Sequence, residues 1–113
     1  MAKALLIHEN GRVENINYND YKDLQKIVGG YIEGIYIGDG FAYIDEEGKL
    51  KGKEINQLAT KIWHEAAAKN KIKINDFIVG KMVLTGPAND EGMDTDIKQS
   101  TIDEICRQGI VIV

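Results

Sequence analysis

Apolar residues along this chain come in short runs, broken by turns rich in glycine and asparagine. Ala2–His8 reads as a strand and Val13–Tyr18 as its partner. The turn between them, Glu9-Asn10-Gly11-Arg12, has Asn-Gly at its centre, a pair that favours tight hairpins. The spacing then becomes helical: Tyr21, Leu24, Ile27 and Val28 share one face behind Asn19, an N-cap residue type. Gly29-Gly30 ends that helix, because glycine takes the left-handed conformation there without a Cβ clash. A second hairpin follows, Tyr31–Ile37 and Phe41–Asp45, turning through Gly38-Asp39-Gly40.

A second helix runs from near Asn56 to near Asn70. Leu58, Ala59, Ile62, Trp63, Ala66 and Ala67 make its apolar stripe, and the alanines add intrinsic helicity. Phe77–Thr85 is apolar enough for a central strand, with Gly80 marking a bulge or a close backbone approach. Pro87 opens a polar loop to Lys98. A closing helix is expected to be capped by Ser100 or Thr101, with Glu104 completing a capping box and Gly109 ending it. The tail Ile110–Val113 is too apolar to hang free and is expected on a sheet edge or a partner subunit. The pattern predicts one α+β domain over 1–113, an antiparallel sheet with two to three helices on one side.

The chain has 113 residues, enough to bury ~65% of its unfolded surface without staples. Eighteen acids against 14 bases give a net charge of −4, which argues against binding duplex nucleic acid. No apolar run approaches membrane-spanning length and the start lacks a leader pattern, so the expected place of action is the cytosol of whichever cell makes the protein. A single cysteine, Cys106, excludes an internal disulfide and is expected as a small buried residue of the last helix. His8 and His64 fit no metal spacing, so neither a metal nor a cofactor is expected. Glu33 and the Asp45-Glu46-Glu47 turn offer carboxylates for acid–base work, but a solvated strand face and turn is the favoured reading. No serine elbow or triad occurs, so the expectation is a protein that is not an enzyme.

The segments LQKIVGGYIE and DEEGKL, Asn56 ahead of LAT, then DFIVG and LTG, together resemble a family of small phage and prophage proteins catalogued as a domain of unknown function. The resemblance covers about residues 21–86, and such proteins look like the first type of Thoeris anti-defence protein. That likeness implies a sponge that sequesters cyclic ADP-ribose-type immune signals without cleaving them. A nucleotide needs a flat contact for its base, polar groups for its sugars and cations for its phosphates. Phe77, Thr85, Asn89, Asp90 and Arg107 are the candidates for those roles. Each has a plainer reading: core for Phe77, loop connection for Thr85, turn formation for Asn89 and Asp90, helix-end charge for Arg107. The implied partner is a cyclic nucleotide held by a homo-oligomer, a dimer or larger. A protein–protein inhibitor of a defence enzyme is the alternative, and a hydrolase using Glu33 or Asp45 a third reading.

Overall fold

The computed structural model describes all 113 residues, and both expected hairpins form in it. β1 (Ala2–Ile7) pairs antiparallel with β2 (Val13–Tyr18), from Ala2 against Tyr18 to Ile7 against Val13. After α1 (Tyr21–Val28), β3 (Ile32–Ile37) pairs with β4 (Gly40–Asp45), from Ile32 against Asp45 to Ile37 against Gly40. α2 (Gln57–Lys69), β5 (Met82–Thr85) and α3 (Gln99–Arg107) complete the chain. β5 slots between the hairpins, giving one antiparallel sheet in the order β2-β1-β5-β4-β3. The α+β class expected from the pattern is the class observed.

The central strands explain how the helices distribute. β5 is buried at every position and β1 at all but Lys3, so both sheet faces need cover. Leu5, Ile7, Met82 and Leu84 pack with Ile62 of α2 and Ile105 of α3. Ala4, Leu6 and Val83 turn the other way and pack with Leu24 and Val28 of α1. Two helices therefore share one side, and α1 alone covers the other.

Local chemistry moves several boundaries. Asp20, not Asn19, caps α1: its Oδ1 accepts from the N–H groups of Lys22 and Asp23 at 3.1 and 3.2 Å. Gly29 ends the helix at φ 86°, as its position suggested. The predicted strand from Phe77 begins only at Met82, because Gly80, at φ 74°, bends the chain just before it. Val79 still makes one antiparallel bridge to Ile55. α3 begins early, with Lys98 as its cap residue and no side-chain cap bond; Ser100 and Thr101 lie inside it. Glu104 pairs with Lys69 rather than closing a capping box. Cys106 is exposed, not buried. The apolar tail runs along the outer edge of β2: Val113 donates to Val13 O and accepts from Asn15 N, both at 2.9 Å. No helix is long and apolar enough to cross a membrane.

Candidate functional site

α2, α3 and the tip of the β3–β4 hairpin enclose a cleft of about 530 Å³. The amphipathic pattern of both helices creates it, since each presents apolar residues to the sheet and polar ones beside them. Ile37, Ile62, Ala66 and Ile105 form its apolar part, and Asp39, Glu65, Lys69, Asn70, Ser100, Thr101, Glu104 and Gln108 its polar part. Three polar contacts cross it or rim it. Lys69 and Glu104 form an ion pair, Gln108 Nε2 donates to Glu65 Oε2 at 3.1 Å, and Lys98 Nζ donates to Asp39 Oδ2 at 2.8 Å. The hydrogen bond from Lys69, and then its charge, lowers the Glu104 pKa; Lys98 does the same for Asp39. The cleft holds hydroxyl, amide and carboxylate groups beside an apolar floor, the mixture that small-molecule sites of this volume carry.

The five residues singled out by sequence do not converge on it. Phe77 is exposed beside a separate hollow of about 120 Å³, with Lys49 Nζ 4.6 Å from its ring centroid. Thr85 is buried, and its hydroxyl is spent: it donates to Thr95 O at 2.9 Å and lies 3.3 Å from the Tyr18 hydroxyl oxygen. Asn89 folds its own loop, its Oδ1 accepting from the N–H groups of Glu91 and Met93 at 2.9 and 3.0 Å. Asp90 and Arg107 are exposed, and neither lines the cleft. The cleft residues escaped sequence reasoning because they come from three separated segments. Their one local signal was the run of polar residues on the α3 face, Ser100, Thr101, Glu104 and Gln108, at helical spacing.

The segments that carry the resemblance perform structural work. Asp45, 3% exposed, ends β4 and accepts from Lys51 at 2.9 Å; Lys53 Nζ lies 2.7 Å from the same oxygen. The two ammonium groups also donate to the last carbonyls of α1, Lys51 to Gly29 O at 3.1 Å and Lys53 to Val28 O at 2.6 Å. One carboxylate and two lysines thus tie the Gly-Gly helix stop to the DEEGKLKGK turn. Asn56, fully buried, caps α2 and bridges β1 to the Gly80 bend. Gly86 admits no Cβ, because the backbone at Asp96 crosses directly against it. His8 bonds Glu14 at 2.7 Å, and His64 bonds the Asp76 carbonyl at 2.7 Å.

A second polar cluster straps the loop after β5. The phenols of Tyr18 and Tyr43 both donate to Asp94, at 2.5 Å to Oδ2 and 2.7 Å to Oδ1 respectively. Burial, then the bond to Asp94, raises both phenol pKa values above the ordinary 10.0. A raised pKa in the folded state means full stability below pH 10.0 and a progressive loss above it. Alkaline titration should show two tyrosines that resist ionisation until circular dichroism reports unfolding. Asp94→Asn should bring the alkaline transition to lower pH; an unchanged midpoint would show that the strap contributes nothing.

Against known families, residues 2–109 match the profile of a domain of unknown function, DUF3846. The chain belongs to that family. The match extends well beyond the segments that carried the resemblance and takes in all five strands and three helices. No curated protein and no solved structure matches the chain.

Proposed function

We propose that this family member is a non-enzymatic, phage-type anti-defence protein that sequesters a cyclic ADP-ribose-type signal in the α2–α3 cleft. The cleft itself carries the reading: its volume of about 530 Å³ suits a nucleotide-sized molecule. Asp39, Glu65, Glu104, Asn70 and Gln108 suit ribose hydroxyls, and the apolar floor from Ile37 to Ile105 suits the base. Phosphates would meet Lys69 and Lys98 once these exchange their carboxylate partners for the ligand. The likeness to Thoeris anti-defence proteins supports the choice of ligand. Sequestration needs affinity alone, and a nanomolar complex requires about 12 kcal/mol, so base, sugars and phosphates must all be enclosed.

The test is to incubate the protein with cyclic ADP-ribose isomers and cyclic oligoadenylates, remove free ligand, denature the protein by heat and analyse what is released. Intact cyclic ADP-ribose supports the sponge. Altered nucleotide makes the protein an enzyme, and no retained nucleotide favours a direct protein inhibitor of a defence enzyme. Ser100→Trp, at an exposed position on the cleft wall, should weaken retention at least about ten-fold, or ~1.4 kcal/mol, without changing Tm. Phe77→Ala and Arg107→Ala should leave retention unchanged, since neither residue lines the cleft.

A further inference from the structure

The two edges of the sheet end differently. The β2 edge is covered in part by the chain's own tail, whereas nothing pairs with the outer side of β3. The hairpin register shows which groups that edge offers. Ile37 and Gly40 close a two-residue turn, and Glu46 N donates to Tyr31 O at 2.9 Å. Odd-numbered residues therefore bond to β4, and Ile32, Gly34 and Tyr36 direct their N–H and C=O groups outward. This edge lacks the lysine, proline or bulge that usually blunts an exposed strand. Large apolar side chains flank it on both faces: Tyr36 is 79% exposed on one, Leu50 86% and Phe77 44% beside the other.

We propose that β3 pairs antiparallel with β3 of a second copy about Gly34, joining two sheets into one of ten strands. The strand is complementary to itself in that register. Ile32 meets Tyr36 of the second copy in both directions, so all three outward residues bond, with about six backbone hydrogen bonds. Glu33 meets Ile35 of the second copy, which keeps the two Glu33 carboxylates apart. Centring the pair on Glu33 would set like charges directly opposite and use fewer bonds. Glycine at the centre admits the Phe41 ring, which lies over Gly34 and packs edge-on against Tyr36 at 5.1 Å. The two-fold then brings the aromatic pair of each copy onto one continuous strip. Peptides or other proteins that add a strand here would compete with the second copy for the same edge.

Sedimentation velocity on the full chain tests this independently of what fills the cleft. The wild-type protein should sediment as a dimer, twice 12.6 kDa. Tyr36→Lys and Leu50→Lys, both at exposed positions, should each weaken the dimer at least ten-fold with unchanged circular dichroism. Tyr36→Thr, which keeps strand propensity, serves if the lysine variant does not fold. A wild-type monomer at high concentration overturns the proposal. So does a dimer or larger assembly that these variants leave intact.

Discussion

Replacing Asn56 with alanine should cost about 3–4 kcal/mol, the largest loss of any single polar substitution expected in this chain. The side chain is fully buried and every polar atom on it is used. Oδ1 accepts from Ala59 N at 3.0 Å, capping α2, and the loss of such a cap costs about 1 kcal/mol. Nδ2 donates to Ile7 O at 3.0 Å and to Gly80 O at 2.8 Å, joining the central strand β1 to the bend before β5. Alanine strips a donor from both buried carbonyls, each at the low end, about 1–1.5 kcal/mol, of the cost of an unpaired buried group, because a carbonyl oxygen has a second lone pair. Against a total stability of about 5–15 kcal/mol, that is a large share. Urea unfolding would measure it, and Tm should fall by roughly 12–16 °C. Two further variants separate the cap from the bridge. Asn56→Ser keeps a cap acceptor and should recover about 1 kcal/mol. Asn56→Asp keeps the cap but turns a carboxylate oxygen toward two carbonyls, so it should be no better than alanine. A loss below about 1 kcal/mol for alanine would mean that the cap alone matters.

That residue also shows where the chain's pattern was informative and where it stopped. Its position just before an apolar helical stripe announced a helix start, which is what α2 has. Its second job, bonding Ile7 and Gly80, depends on residues 49 and 24 positions away and leaves no local trace. The same division holds throughout. Hairpins, the Gly29 stop and the edge-seeking tail were legible because turn chemistry and periodicity act between near neighbours. The early end of the β5 run was less so, since it depends on Gly80 adopting a positive φ. Ser100 and Thr101 looked like caps by residue type, yet the bond from Ile97 N to Lys3 O holds the chain extended just ahead of Lys98, and the helix starts there.

The candidate site was less legible still. Thr85 ends a buried strand and Asn89 lies in the loop that follows it, positions that suggest ligand contacts. Both oxygens instead bond to backbone groups of that loop. The basic run of Lys49, Lys51 and Lys53 similarly resembles a phosphate clamp. It is spent inside the fold: Lys49 on Asp76, and the other two on Asp45 and the end of α1. The cleft draws instead on Gly38-Asp39 of the hairpin tip and on facing positions of two helices, one ending at Lys69 and the other starting at Gln99, so no single stretch of sequence announces it.

Asp45 should make the protein's stability depend on acid in a particular window. Burial opposes its ionisation, but hydrogen bonds from Lys51 and Lys53 and from the Glu47 N–H outweigh that, holding its pKa at about 2 against an ordinary 3.8. A depressed pKa means a contribution fully present above pH 3.8 and lost as pH falls toward about 2. Asp45→Asn removes the charge that two cations face. Lys51 and Lys53 are partly exposed, 40% and 24%, and can turn to water, so the loss should be about 2 kcal/mol rather than the 3–5 of a wholly buried pair. Glu104, Asp39, Asp76 and Glu14 also titrate low, so the wild-type acid curve alone cannot isolate one residue. The difference between wild type and Asp45→Asn does. Urea unfolding of both should give a gap of about 2 kcal/mol at neutral pH that narrows steadily below pH 3.8. A gap that stays constant down to the lowest pH would mean that Asp45 holds the α1 end and the following turn through shape and hydrogen bonding, and its charge is incidental.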